Sequence, residues 1–386
     1  MTVFHWLVIL VVLLAFLMRG GREKNWRYIL LACALMYCVL GLRDAYSVGI
    51  DTTGPYITKY EWVCKRDWDK MPDFSDWLGL SEESEDSNGH ERNIALDWAM
   101  KLYHEASGGN YEGFIQISSL FTMVAFAWFI YRFSASPVQS ILLFFGLNFY
   151  LFHFSGLKQS LAMSILLFAV GAIFDKRPIV FLLLVAVASM FHFPALVLLP
   201  AYWIANMRLG RGYLLVLALA FLATYLLRDQ FVEWMTDAYS TEVLENNLRF
   251  FANKVIVMIA ILVMAVIVRP PDADDRVYSG FLMLMGVATV IQTFAGYNNT
   301  FERLADYYFQ TSVILIPLIF EPVKLRRQYL DDATLLLARQ AVPYLYCAFA
   351  IWRFLTVANS PTGHLVPYQF YFERSSQGGW LWDLLH

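Results

Sequence analysis

Charge is scarce in this sequence. Only 16% of its residues are Asp, Glu, Lys or Arg, where a soluble domain averages about 25%. Apolar residues make up 59% of the chain and the mean hydropathy is +0.50, which excludes an ordinary soluble globular domain. Cysteine is scarce too. Cys33, Cys38, Cys64 and Cys347 form no CxxC pair, so neither a disulfide framework nor a metal knuckle follows. The histidines show no metal-ligand spacing, and no metal is expected. No Gly-rich loop of the P-loop or dinucleotide kind occurs, and no cofactor is expected. The net charge of −3 gives no ground for nucleic-acid binding. The alternation of a β-barrel is absent. So is any internal repeat, which counts against a transporter built on inverted repeats.

What is there is a series of apolar runs of bilayer-spanning length. They predict an all-α, polytopic integral membrane protein, a single membrane domain over residues 1–386 with about twelve crossings. The first run, Thr2 to Met18, lacks a basic n-region and a small-residue cleavage site, so it reads as a retained helix and not a signal peptide. Trp26 to Leu40 is the second. The loop between them carries Arg19, Arg22, Lys24 and Arg27, and the positive-inside rule places it in the cytoplasm. Both termini and the stretch after Leu40 are then outside. Residues 43–110 and 228–254 read as extracytoplasmic loops carrying short interfacial helices, and residues 358–386 as an extracytoplasmic tail. Within the first loop, Asn93 is placed to cap a helix over Ile94 to Glu105, which Ser107-Gly-Gly would stop. Ser81 to Ser87 is an acidic, solvated run. Further crossings are expected at Phe114–Tyr131, Pro137–Phe152, Leu161–Phe174, Tyr213–Leu227, Val255–Val268, Tyr278–Ala295, Thr311–Phe320 and Val342–Val357.

Ile179 to Ala205 decides the topology. As one helix it would be about 40 Å long at about 1.5 Å per residue, longer than the hydrocarbon core, and would put Arg208 and Arg211 outside. As a short broken hairpin meeting at Phe191-His192-Phe193-Pro194, it returns both arginines to the cytoplasm. The hairpin is preferred because loop charges then agree along the chain.

On that topology Arg43, Asp44, Asp51, Lys158, His192, Glu302, Arg303 and Asp306 all lie at outer helix ends. Cations there suit a phosphate or diphosphate at headgroup level, Arg as a planar fork and Lys as a point charge. Carboxylates and a histidine suit proton transfer. Each residue also has a plain structural reading. Arg43 and Asp44 fit a snorkelling pair, and Asp51-Thr52 an Asx-turn or helix cap. Lys158 fits a helix-end anchor, His192 a packing residue, and Arg303 a partner of Glu302 or Asp306. Their shared face is what argues for a site.

Several short motifs occur in a telling order: GLRD at Gly41–Asp44, VGIDTTGPY at Val48–Tyr56, GLKQSLA at Gly156–Ala162 and FHFPAL at Phe191–Leu196. Arg303 with Tyr307-Tyr308-Phe309 follows, then VPYQFYF at Val366–Phe372. In these the chain resembles the EpsG family of polysaccharide-biosynthesis membrane proteins, a Wzy-like group. Two departures stand out. Lys158 takes the place of a frequent arginine, keeping the charge and losing the fork, and the family's Glu-Pro-Gly element before the third helix is not evident.

The resemblance implies a bacterial inner-membrane glycosyltransferase with a periplasmic or extracellular active face. It would polymerise undecaprenyl-diphosphate-linked repeat units into exopolysaccharide, capsule or O-antigen, without a cofactor. Its partners would be the lipid-linked glycan donor and acceptor, the bilayer, and a chain-length regulator and flippase. On this reading Arg43, Lys158 and Arg303 hold the diphosphate. Asp51 and His192 activate or orient the acceptor, Asp51 the favoured one, and Gln159, Tyr307 and Tyr308 are secondary sugar or phosphate contacts. The alternatives are an O-antigen ligase or other glycosyl or acyl transferase of the envelope, and a non-enzymatic lipid-glycan transporter.

Overall fold

The computed structural model describes residues 1–18, 26–78, 93–207, 211–239, 248–267, 276–295, 299–320 and 333–376. The basic loop before Trp26, the acidic run from Ser81, Arg208, the loop at 269–275 and the end of the tail lie outside the described residues. The described chain is helical. In order it forms α1 (Val3–Leu17), α2 (Trp26–Gly41), α3 (Pro55–Lys65), α4 (Phe74–Leu78), α5 (Ile94–Ser107), α6 (Tyr111–Phe133), α7 (Pro137–Gly146), α8 (Phe149–Phe152) and α9 (Leu157–Phe174). Then come α10 (Pro178–Phe191), α11 (Ala201–Asn206), α12 (Arg211–Tyr239), α13 (Leu248–Ile267), α14 (Arg276–Gln292), α15 (Asn299–Phe309), α16 (Ser312–Ile319), α17 (Ala333–Ala358) and α18 (Tyr371–Ser376). Among the described residues the only strand-like pairing is an isolated antiparallel bridge between Arg43 and Phe370.

Local chemistry explains several boundaries. Asn93 precedes α5, and Gly108, at φ +59°, ends it in the left-handed conformation that glycine adopts without a Cβ clash. The Asn93 side chain does not cap the helix; its Oδ1 accepts the Phe193 N–H at 3.1 Å. Asn110 does cap α6, accepting the Gly113 N–H at 3.1 Å. Proline opens α3 and α7, where its missing N–H costs nothing.

Among the described residues three helices are long and apolar enough to cross a membrane: Tyr111–Phe133, Leu157–Phe174 and Ala341–Ala358. The other apolar helices run 10–17 residues, so the figure of about twelve crossings stays an expectation. Two expected segments differ. The run from Pro137 to Phe152 is not one helix: α7 stops at Gly146, Asn148 takes φ +71°, and α8 follows. The stretch from Arg228, expected as a loop, continues α12 to Tyr239. Arg228, Asp229 and Glu233 end the apolar run but not the helix, for which Arg and Glu are good formers. Ile179–Ala205 is broken as the hairpin reading requires. α10 ends at Phe191, a 3-10 turn spans Phe193–Leu198, and α11 follows. The Phe181 and Tyr202 rings lie 5.4 Å apart. Residues 21 apart in one straight helix would be separated by about 30 Å, so the chain doubles back.

The chain divides into two compact units. The first comprises Met1–Phe168, Leu183–Phe193 and Tyr344–His386. In it α2 packs against α1 and α6, and α3 against α5 and α6. An apolar cluster of Tyr56, Tyr60, Leu96, Met100, Phe114 and Leu157, with Phe191 against it, joins these helices. Leu96 and Met100 are fully buried, each contributing roughly 1.5–3 kcal/mol. The second unit comprises Ala169–Leu182 and Pro194–Pro343. Its centre is α14, packed against α11, α12, α13, α15 and α16.

Candidate functional site

In the first unit, α2 ends at Gly41 and the chain enters a turn tied down from two directions. From one side comes the tail. Asp44 N–H donates to Gln369 O at 2.9 Å, Gly49 N–H to His364 O at 3.0 Å, and Tyr371 N–H to Leu42 O at 3.0 Å. Tyr368 Oη donates to Val39 O at 2.5 Å. From the other side comes the turn before α9. Thr52 Oγ1 donates to Phe154 O at 3.0 Å, and Ile50 N–H to Ser155 Oγ at 3.1 Å. Gly49 has φ +105°, and a Cβ there would lie 2.2 Å from Phe154 O. Only glycine fits that combination of backbone angle and close approach. The motif at 41–56 thus contacts both the tail motif at 366–372 and the turn that leads into the motif at 156–162.

Arg43 sits where they meet, 2% exposed. Its Nη1 donates to Leu40 O and its Nη2 to Phe154 O at 3.3 Å. The guanidinium carbon lies 5.0 Å from the centre of the Phe154 ring, and Nε has no hydrogen-bond partner. Among the described residues no carboxylate pairs with it. The adjacent Asp44 carboxylate instead accepts Ser47 Oγ at 2.6 Å and Tyr46 N–H at 3.3 Å, so the snorkelling-pair reading does not describe this residue. Burial lowers the Arg43 guanidinium to about 10, which leaves it charged at neutral pH. Besides Asp44, the titratable groups around it are neutral. Burial, with Arg43 adding to it, lowers His153 to about 3, and its Nδ1 lies 2.9 Å from Ser160 Oγ. Burial holds the Tyr368 hydroxyl up despite Arg43.

The other candidates of this unit gather around the same turn. Asp51 is half-buried and its carbonyl accepts the Tyr56 N–H at 3.4 Å. Lys158 and Gln159 occupy the first turn of α9, half-buried and buried respectively, with the Lys158 N–H directed at Tyr56 Oη at 3.4 Å. His192 is the residue at which α10 gives way to the 3-10 turn, half-buried. It is flanked by Phe191, on the apolar cluster with Tyr56 and Leu157, and by Phe193, whose N–H is held by Asn93.

Arg303, Tyr307 and Tyr308 belong to the second unit, on α15. Arg303 is exposed; Tyr307 and Tyr308 are fully buried, and Tyr308 Oη donates to Val197 O at 2.7 Å. Glu302 and Asp306, four apart on one helical face, both bind Lys254 Nζ, at 2.8 and 2.7 Å. Burial raises the Asp306 carboxyl, with Lys254 opposing. Lys254 was not among the sequence candidates. It stands 48 residues from Glu302, and no local pattern links them.

The family model for the EpsG family matches residues 26–370, nearly the whole chain and all of the motifs above but the last two residues of VPYQFYF. The chain belongs to the EpsG family. Comparison with curated proteins and with solved structures gives no match. Membership makes this a membrane-embedded helical protein of polysaccharide biosynthesis and, at a coarse level, a polysaccharide polymerase-like enzyme. In this EpsG protein the motif residues are joined chiefly through backbone carbonyls and N–H groups. That is why sequence inspection finds the motifs and not their contacts.

Proposed function

We propose that this EpsG protein is a Wzy-type polymerase. It transfers a growing glycan from an undecaprenyl-diphosphate carrier to a hydroxyl of another lipid-linked unit, on the outer side of the bacterial cytoplasmic membrane. The observation that carries the reading is the buried Arg43, without a carboxylate partner among the described residues, where the first family motif meets the tail motif and the turn before α9. A cation enclosed among neutral groups acts through a low dielectric and is strongest toward an anion that develops nearby. In the reaction that anion is the lipid diphosphate, which departs as the new glycosidic bond forms. Lys158, on the adjoining first turn of α9, supplies a point charge within reach of solvent; Arg303, exposed on α15 of the second unit, is the remaining candidate cation on the strength of its motif. Arg43 contributes its field from beneath while its Nη groups hold the Leu40 and Phe154 carbonyls in place. Asp51 orients or deprotonates the acceptor hydroxyl, His192 being the other candidate, while Gln159, Tyr307 and Tyr308 shape the approach. A flippase would deliver the substrate and a chain-length regulator would set the product.

The test is the polymer itself. Arg43→Ala and Arg303→Ala in a strain lacking the wild-type gene are expected to accumulate single repeat units on lipid carrier, with polymerisation reduced about 100-fold or more. Normal polymer length in both variants would overturn the proposal. Normal polymer that is left unattached to its final acceptor would point to a ligase.

A further inference from the structure

The tail does more than tie down the Arg43 turn. Between them lies an open cleft of about 370 Å³, lined by Ser47, His364, Val366, Pro367, Tyr368 and Gln369. This volume falls at the small end of ligand pockets, about 300–1,000 Å³. Its polar groups are ready for a ligand. The side chains of His364 and Gln369 make no hydrogen bond within the protein among the described residues. Ser47 spends its hydroxyl proton on Asp44 Oδ2, so its oxygen faces outward as an acceptor. The amide of Gln369 offers both a donor and an acceptor, and the two ring nitrogens of His364 add two further polar positions. Pro367 and the Tyr368 ring add apolar surface beside them.

We infer that this cleft is a sugar-binding subsite for one residue of the glycan substrate. The inference rests on the polymerase reading above and extends it to a part of the chain that carries none of the proposed catalytic groups. A sugar ring presents alternating hydroxyls, each both donor and acceptor, around C–H faces. The cleft answers with mixed donors and acceptors around an aromatic ring and a proline. A diphosphate fits poorly. No Lys or Arg lines the cleft, and the Asp44 carboxylate behind Ser47 repels an anion. The cleft is also fixed in place relative to Arg43, because Gln369 O holds the Asp44 N–H and Phe370 bridges Arg43. A sugar bound there sits beside the turn that carries the proposed diphosphate cation.

The tail's grip on the turn uses main-chain atoms of His364 and Gln369, so their side chains can be changed without breaking it. The experiment uses the purified full chain in nanodiscs and, as probe, the repeat-unit oligosaccharide freed from its lipid carrier by mild acid. Saturation-transfer NMR reads its binding. Wild type is expected to bind, with affinity about five- to tenfold weaker in Gln369→Ala and in His364→Ala, at unchanged thermal stability. Inorganic diphosphate serves as the second probe, and both variants should bind it as wild type does. Equal oligosaccharide binding in wild type and both variants overturns the subsite. So does loss of diphosphate binding in the variants, which would make the cleft an anion site. If wild type binds no oligosaccharide while its membranes still polymerise lipid-linked units, the subsite fails and the polymerase reading stands. If Arg43→Ala and Arg303→Ala both leave polymer length normal, the polymerase reading fails, and the oligosaccharide titration alone decides whether the cleft binds sugar.

Discussion

The two units handle buried charge in opposite ways. In the first, Arg43 is enclosed with no carboxylate, served by two carbonyls and a ring, and surrounded by a neutral histidine and neutral tyrosines. In the second, Lys254 is held by two carboxylates at 2.8 and 2.7 Å, so the cation is outnumbered. A compensated lysine is part of the scaffold. It has nothing left for a ligand, and its removal strands two acids. An uncompensated arginine is a poor stabilising device, since desolvation opposes its burial, but it keeps its attraction for an anion. The contrast favours the Arg43 cluster for the proposed anion handling and the Lys254 cluster for structural support.

Three measurements break or sharpen this contrast. Lys254→Met should have the largest effect on stability, a loss of about 3 kcal/mol, because Glu302 and Asp306, both half-buried, are left side by side without the cation between them. Polymer chain length in the surviving protein should stay normal. A shortened polymer with unchanged melting would reverse the roles of the two clusters. Gly49→Ala comes next. Its φ of +105° and the 2.2 Å approach to Phe154 O predict a loss of about 2 kcal/mol, read by thermal unfolding, together with reduced polymerisation as the Arg43 turn shifts. Unaltered activity would separate the turn from the reaction.

The smallest effect concerns His153. Its folded-state value of about 3 lies below the ordinary 6.5, so the unfolded chain takes up the proton first. Its contribution to stability is complete above pH 6.5 and is lost as pH falls from there toward 3. In His153→Gln, which keeps a polar partner for Ser160, the melting temperature should fall less steeply over that window. Equal slopes would mean that the surroundings of Arg43 are not the neutral enclosure described.

The sequence was most legible where chemistry is local. Gly108 marks the end of α5 and Pro194 the break after α10, because glycine and proline effects act within a turn; Asn93 stands at the start of α5 but gives its side chain to Phe193. The helical, apolar class follows from composition alone. Legibility failed where partners are distant or where two signals compete. At Arg228 the end of apolarity passed for the end of a helix, although the two have different causes. Gly146 and Asn148 together signal the break between α7 and α8, but the apolar run around them masked it. Glu302 and Asp306 gave no hint of Lys254. The Arg43 site was half visible: the motifs could be read, while the main-chain bonds from Gln369 and His364 that assemble them leave no trace in residue identity.

Those bonds also impose an order on biosynthesis. The turn at Arg43 is made early, when the ribosome has barely cleared the second helix. The carbonyls that receive the Asp44 and Gly49 N–H groups belong to residues made more than 300 positions later. A nascent chain therefore carries its proposed diphosphate cation for most of translation without the segment that sets it. A product halted before His364 would be inserted, folded in part, and catalytically mute. The turn at Arg43 is thus complete only when the chain itself nearly is.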